Sequence, residues 1–296
     1  VKTVIALDIG ATSIKAAAIS ADGKILRRAT APTGGAKGPA TVLGNAQKLA
    51  EELLAAYPKA SALGVSSCGS INPETGEVVE ATSVMPGWTG TKLRRELARR
   101  CGLETAVRND GEAAALGEAV FGAGKDARVF LMLTLGTGVG GGIVSDGQIF
   151  GGENFLAGKI GHMKAVRGGR LCGCGARGCL ESYASAYACR KALGMEPKEA
   201  FELALKGNKK AAVFVEEAGH ALGMVLADVA NCINPGVIAI GGGMAGGFKQ
   251  LRPALMEAFN ENAMPSIARS VKIVQARCGN NAGVLGAAAL VLKIGQ

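Results

Sequence analysis

Residues 3–30 read TVIALDIGATSIKAAAISADGKILRRAT. The run TVIALDI at 3–9 is rich in β-branched and aliphatic residues and stops at Gly10. Residues 14–19 form a second such run, Asp22-Gly23 is a tight-turn pair, and 24–30 form a third run, so the chain is expected to open as an antiparallel meander. The plan then recurs. RVFLMLTL at 128–135 leads into a glycine-rich turn, a strand at 141–145 and the hairpin pair Asp146-Gly147. Two copies of strand, Gly-Thr turn, strand and Asp-Gly hairpin predict two domains built on one plan, each a sheet with helices on its faces.

Working outward, Leu43, Leu49, Leu53 and Leu54 recur at helical spacing within 40–57, and 62–67 returns as a strand. A helix at 90–101, a short strand at 105–108 and a helix at 111–122 follow. After the second meander come a helix-rich block at 181–232, a buried strand at 237–240, a helix at 249–262, a strand at 271–275 and a last helix at 281–292. The expected division is 1–118, completed by the closing segment 281–296, and 119–280. No low-complexity linker separates the halves, so 112–125 is a hinge at most.

The 296 residues suffice for two domains, and 48% hydrophobic residues can fill their cores. Forty-five glycines and only 4% aromatics suit an α/β chain with many tight turns. Eight cysteines without regular pairing, and no signal-peptide pattern, point to a reducing cytoplasm. No apolar run reaches the roughly 18 residues needed to span a bilayer. The formal net charge of +9 raises nucleic acid as a partner. The basic residues are dispersed, however, and the densest group, Lys92, Arg94, Arg95, Arg99 and Arg100, alternates with Leu93, Leu97 and Ala98 as one solvated helix face would. No helix-turn-helix or aromatic-basic stacking surface is visible, and an anionic small molecule explains the charge as well.

Asp8, Gly10, Thr12 and Lys15 give D-x-G-x-T-x-x-K directly after a strand. A carboxylate there can hold hydrated Mg²⁺, the glycine lets backbone approach a phosphate, and the threonine adds donors. A purely structural hairpin reads the same way. The second copy, Gly136-Thr137-Gly138 followed by Gly140, Gly141 and Gly142, favours two phosphate-cradling turns and a nucleotide held across a cleft. Gly241-Gly242-Gly243 after VIAI is either a plain strand-to-helix connection or a flat backbone surface for a base. Asn109-Asp110 ends a strand and starts a helix. Asp110 is a helix cap on one reading, and on the other a general base that takes the proton of a sugar hydroxyl attacking a γ-phosphate.

Residues 158–181, GKIGHMKAVRGGRLCGCGARGCLE, hold one of the two histidines and three of the cysteines. One imidazole and three thiolates, His162, Cys172, Cys174 and Cys179, suit tetrahedral Zn²⁺, and the interleaved glycines let a short loop fold back on one ion. The alternative is a reduced cysteine-rich loop. His220 reads as an ordinary packed or surface histidine. Cys68, Cys101, Cys189, Cys232 and Cys278 read as small core residues. Trp88 either walls a sugar site or plugs a loop.

Taken together, the first Gly-Thr turn, the N-D into a helix, Gly-Thr-Gly-x-Gly, G-x-I-G-H and C-x-C-G-x-x-G-C-x-E resemble the ROK family, the repressor and sugar-kinase group of the actin, hexokinase and Hsp70 superfamily, which includes bacterial glucokinases. The resemblance covers nearly the whole chain. It implies two actin-like (ribonuclease H-like) domains around a cleft that takes MgATP and a hexose, a structural zinc, and assembly as a homodimer or higher oligomer. By position it implies phosphate contacts at Asp8, Gly10, Thr12, Gly136, Thr137 and Gly138, and adenosine contacts at Gly241, Gly242 and Gly243. It further implies Asp110 as base and sugar contacts at Asn109, His162 and Glu181, with the other ring nitrogen of His162 facing the zinc.

Two departures stand out. Cys68 occupies the place of a proline in the turn at 64–72. Lys159 stands where such kinases have the glutamate of E-x-G-H, so a donor-only cation replaces an acceptor. Either the substrate differs or the site is impaired: Lys159 is expected to read an anionic group on the substrate, or to pair with Glu181 or Glu153 and narrow the sugar pocket. The alternatives to a kinase are a non-catalytic sugar-responsive regulator and a binding or interaction protein on the same fold. Repressors of the family carry an N-terminal DNA-binding domain, whereas here the phosphate-binding fold is expected from residue 3.

Overall fold

The computed structural model describes residues 2–81 and 85–292. The other residues of the expected closing segment, 293–296, lie outside the described residues. Contact density divides the chain into one unit of Val1–Lys125, Gly142–Ala157 and Asn280–Gln296, and another of Asp126–Gly141 and Gly158–Gly279. Residues 119–125 and 142–157, expected in the second domain, therefore pack with the first unit.

In the first unit the opening meander is β1 (Thr3–Ile9), β2 (Ser13–Ser20) and β3 (Ile25–Pro32), antiparallel with Asp8 opposite Lys15. The helix α1 (Pro39–Ala56) starts with Pro39 at its first turn, where a missing N–H costs nothing, and buries Leu43, Leu49 and Leu53. It leads to β4 (Leu63–Ser67), which lies parallel to β1. A short hairpin follows, β5 (Ser70–Asn72) with β6 (Glu77–Glu80), which the hydrophobic pattern does not announce.

The next helix, α2 (Leu93–Cys101), begins three residues later than the charge pattern predicts and buries Leu93 and Leu97. Then come β7 (Thr105–Asn109), parallel to β4, and α3 (Asp110–Phe121). The sheet order is β3-β2-β1-β4-β7. Trp88 is 1% exposed and its Nε1 donates to Ser67 Oγ at 3.2 Å, so it is core. Burial on that scale outweighs any sugar-walling role for its ring.

The second meander is β8 (Val129–Leu135), β9 (Val139–Ser145) and β10 (Gln148–Ile149), with Asp146 and Gly147 both at positive φ in the hairpin. The helix-rich block resolves into α4 (Ala186–Leu193), α5 (Pro197–Leu205) and α6 (Lys209–Ile233), the first and last capped by the side chains of Ser185 and Asn208. Next come β11 (Val237–Gly241), α7 (Phe248–Asn262), the unexpected α8 (Pro265–Ser270) and β12 (Lys272–Gln275). Strands β8, β11 and β12 are mutually parallel, and the sheet order is β10-β9-β8-β11-β12.

The chain ends in α9 (Ala282–Leu292), apolar on every side and buried at almost every position. It crosses α3 at backbone distance: a Cβ on Gly286 would lie 1.6 Å from the Ala113 carbonyl oxygen, so only glycine fits. Across the described residues no helix is long and apolar enough to cross a membrane. Of the cysteines read as core, only Cys189 is buried; Cys68, Cys101 and Cys278 are partly exposed and Cys232 is exposed on α6. His220 is exposed on the same helix.

Candidate active site and metal centre

In the first unit Asp8 is the last residue but one of β1, and its side chain is 17% exposed. Its Oδ1 accepts from Ser66 Oγ at 2.8 Å, and Lys15 Nζ stands 4.0 Å from Oδ2. The space around the carboxylate exists because residue 283 on α9 is glycine: a Cβ there would come within 2.6 Å of the carboxyl carbon. Burial raises the Asp8 pKa above its ordinary value of 3.8, opposed by the Ser66 hydrogen bond and then by Lys15. A desolvated carboxylate with one hydroxyl and a distant ammonium is short of positive charge, which is the condition that favours a divalent cation.

Gly10 and Thr12 shape the turn after Asp8. Gly10 N donates to Ser13 O at 3.1 Å, Thr33 Oγ1 to Gly10 O at 2.6 Å and Thr33 N to Thr12 O at 3.0 Å. Thr12 is exposed at the tip.

The helix cap of α3 is Asn109, not Asp110. Asn109 Oδ1 accepts from the amides of Gly111 (3.0 Å) and Glu112 (3.3 Å), while its Nδ2 donates to Gly69 O (2.8 Å) and to Asp110 Oδ1 (2.9 Å). Asp110 is the first helical residue and is exposed. Its Oδ1 accepts from Gly111 N at 2.9 Å as well as from Asn109, so two N–H donors orient the carboxyl group. Burial pushes the Cys68 thiol up to about 11, helped by the negative charge of Asp110, and Cys68 Sγ lies 2.9 Å from Met85 Sδ.

In the second unit the turn Gly136-Thr137-Gly138 joins β8 to β9, with Gly136 N donating to Gly138 O at 2.9 Å and Thr137 exposed. Gly241 is buried at the end of β11. Gly242, at φ 84°, would put a Cβ 2.5 Å from Leu135 O, so its smallness serves strand packing, whereas Gly243 faces open space.

His162 closes a 3₁₀ turn, Ile160–His162, and joins Cys172, Cys174 and Cys179. Their four ligand atoms all lie within 4.8 Å of one another. Cys174 Sγ and Cys179 Sγ are 3.7 Å apart, and Cys172 Sγ is 3.8 Å from His162 Nδ1. A tetrahedron with metal–sulfur bonds of about 2.3 Å has edges of about 3.8 Å, so the donor set and its spacing fit Zn²⁺. A disulfide would need the sulfurs at about 2.05 Å.

The loop reaches this shape through glycines: Gly178, at φ 81°, would otherwise drive a Cβ to 1.7 Å from Val166 O. Lys164 Nζ donates to Cys179 Sγ at 2.9 Å and to His162 O at 3.1 Å, placing a cation where it would offset the excess charge of three thiolates around a divalent ion. Burial pushes Cys172 up to about 11, while the Ala176 amide, foremost, holds Cys174 below its ordinary value.

Glu181 stands just after Cys179. Its Oε2 accepts from Val139 N at 2.9 Å and its Oε1 is 3.5 Å from Cys172 Sγ. Lys159 is exposed at the start of the 3₁₀ turn, its carbonyl accepting from His162 N at 3.0 Å; among the described residues it forms no ion pair with Glu181. Sequence reasoning passed over Ser66, Lys164 and Gly283. A serine pair at 66–67 ending an apolar strand was the one available signal; the roles of Lys164 and Gly283 exist only through contacts.

The two glycine-threonine turns follow the first strands of two sheets with matching openings, and the chain belongs to the ROK family, whose model matches residues 4–294. A glucokinase of Thermotoga maritima is 32% identical, covering 97% of this chain and 96% of its own length. An N-acetylmannosamine kinase of Escherichia coli O157:H7 is also 32% identical, covering 97% and 98%. The crystal structure of a ROK family glucokinase from Streptomyces griseus in complex with glucose and AMPPNP aligns with a TM-score of 0.82 at 28% identity, covering 97% of this chain and 98% of that one. The fold is the two-domain, actin-like α/β fold of these kinases.

Proposed function

We propose that this chain is an ATP-dependent sugar kinase in which Asp110 acts as general base. The observation that carries the assignment of the base is the division of labour at the α3 corner. Asn109 does the capping, while Asp110 sits exposed with one carboxylate oxygen fixed by two donors. A carboxylate oriented in this way can take the proton of a sugar hydroxyl as that oxygen attacks the γ-phosphorus. The relatives named as glucokinase and N-acetylmannosamine kinase, matched over 97% of this chain, support the reaction class.

Asp8 is assigned to hold hydrated Mg²⁺, which supplies charge neutralisation at the phosphates. Gly10, Thr12 and Lys15, and Gly136, Thr137 and Gly138, offer the phosphates backbone and side-chain donors. The open face at Gly243, set in place by Gly241 and Gly242, takes the adenosine. Asn109, Lys159, His162 and Glu181 are assigned to the sugar, Asn109 chiefly by orienting Asp110. His162, Cys172, Cys174 and Cys179 hold a structural zinc.

The exposed apolar side chains of Tyr187 on α4, Leu205 on α5 and Val213 on α6 suit a homodimer contact, which sedimentation would test. Eight cysteines, none of them in a disulfide, suit a reducing cytoplasm.

Lys159 directs the choice of sugar. An exposed ammonium two residues from Gly161 and three from His162 favours a substrate carrying an anionic group over plain glucose. ATP consumption measured with neutral, N-acetylated and acidic sugars tests the whole reading. Turnover with at least one sugar is expected, and its absence with all of them, in protein that binds nucleotide, overturns the kinase assignment. Lys159→Glu should reverse the ranking of acidic against neutral sugars; an unchanged ranking removes Lys159 from substrate recognition.

A further inference from the structure

Glu181 joins two parts of the second unit. One carboxylate oxygen accepts from Val139 N at 2.9 Å, in the residue that ends the Gly136–Gly138 turn; the other faces Cys172 Sγ at 3.5 Å, within the His/Cys cluster. Gly138 is shaped around this contact, because a Cβ there would lie 2.2 Å from Glu181 Oε2. The glycine that reads in sequence as room for a phosphate is thus also room for a carboxylate.

The rest of the turn leans on the same segment. Ala186 N donates to Gly136 O at 2.8 Å and Tyr187 N to Thr137 O at 3.1 Å. From the other arm of the loop, Gly161 packs so closely under Val139 that a Cβ would come within 2.2 Å of the Val139 carbonyl oxygen. Residues 161–187 therefore hold the turn at both ends, and their own fold closes on the four ligand side chains.

We propose that Glu181 is a positioning residue through which occupancy of the metal centre sets nucleotide affinity. With the metal bound, the loop is closed, the Glu181 carboxylate is fixed and the Val139 amide is held, so the Gly136–Gly138 donors stand ready for a phosphate. With the metal removed, the loop loses the energy that closes it, and Glu181, two residues after Cys179, loses the fixed backbone that aims it at Val139 N. The turn then opens to alternatives, and the nucleotide has to restore its order on binding. This rests on the turn being a phosphate site, as assigned above.

The test is a cycle of four measurements, read as binding of Mg-AMPPNP by calorimetry without sugar: wild type and Glu181→Ala, each metal-loaded and chelator-stripped, with metal content by elemental analysis. Losing one charge-assisted hydrogen bond predicts about 10-fold to 100-fold weaker binding. Stripping should weaken wild type by that order, loaded Glu181→Ala should be weakened similarly, and stripping the variant should add little. Glu181→Gln keeps a carbonyl acceptor for Val139 N and should retain most of the affinity, which separates positioning from general loss of fold.

Wild-type affinity in loaded Glu181→Ala, or equal losses on stripping both proteins, overturns the coupling. Should a stripped protein unfold by circular dichroism, loaded Glu181→Ala against Glu181→Gln decides, and equal affinities in those two overturn it as well. Thr137→Ala separates the two levels of the argument. If it leaves affinity unchanged, the turn is not the phosphate site and both readings fall. If it weakens binding while Glu181→Ala does not, only the coupling falls.

Discussion

The two turns, Gly10-Ala11-Thr12 and Gly136-Thr137-Gly138, share a glycine and a threonine after a strand and have different supports. The first, after Asp8, is tied within its own sheet by Gly10 N to Ser13 O and by Thr33 reaching back to Gly10 and Thr12. The second, after Leu135, has one internal bond of its own and otherwise rests on residues 161–187, a segment that gathers four side chains able to hold a metal ion. A shared motif fixes what a turn can offer a phosphate; the neighbours decide what the turn needs in order to hold still. One turn should therefore be indifferent to metal and the other dependent on it.

The largest expected effect isolates chemistry from both turns. Asp110→Asn should lower turnover by roughly 10² to 10⁴, the usual contribution of a positioned general base, and leave Mg-AMPPNP affinity unchanged, since neither turn loses a contact. Steady-state kinetics and calorimetry on one preparation read both. Near-normal turnover would return Asp110 to a role in the first-turn electrostatics of α3.

Metal removal should then separate the turns. Purified protein should carry one zinc per chain, and chelation or Cys174→Ser should remove amide-exchange protection from residues 136–139 and 158–181 while Gly10–Ser13 keep theirs. Equal loss at both turns would erase the contrast. Protein that purifies with no zinc would remove its basis.

Much of this was legible in the sequence where the signal is local. The paired meanders, the helical leucines of α1 and the His/Cys spacing all follow from patterns within a few residues, and the structure brings His162, Cys172, Cys174 and Cys179 together. The β5–β6 hairpin was missed because each strand is short and its turn, residues 73–76 ending in Gly76, stands among polar residues that read as loop. The cap was misplaced by one residue because Asn and Asp are equally good caps in sequence. Only geometry shows that Asn109 has the extended backbone while Asp110 is already helical. The brace at Glu181 joins residues 42 apart, and Gly283 meets Asp8 from the far end of the chain; no window of sequence contains such pairs.

Paired glycine substitutions sharpen the comparison at smaller scale. Gly138→Ala must displace Glu181 Oε2 from 2.2 Å, which breaks the bond to Val139, and should cost about 1–3 kcal/mol, read as a lowered Tm. Gly10→Ala meets only the Ser13 carbonyl oxygen at 3.2 Å, a contact that a few tenths of an ångström relieve, and should cost less. The reverse order would mean that the first turn, not the second, is the tightly fitted one.

The smallest effect lies at Asp8, where the first turn meets its own charge. Burial raises this carboxyl above 3.8, and the Ser66 hydrogen bond and Lys15, in that order, pull it back. Ser66→Ala should therefore raise it further, and Lys15→Met by less, because that ammonium is 4.0 Å away and its side chain is 43% exposed. A raised folded pKa means that protonation favours the folded state: the contribution is fully present below the unfolded value and is lost as pH rises through the folded one. The Ser66→Ala protein should accordingly lose stability relative to wild type at neutral pH and regain it on acidification. Protonated Asp8 cannot hold a cation, so the pH below which Mg²⁺ stops supporting nucleotide binding should move upward in both variants, more for Ser66→Ala. Mg²⁺ titrations of AMPPNP binding across a pH series measure that shift. Because the side-chain bonds of Ser66 and Lys15 run to Asp8 and Asn280 within the first unit, exchange protection at 136–139 should stay as in wild type; a change there would show that the two supports are not independent.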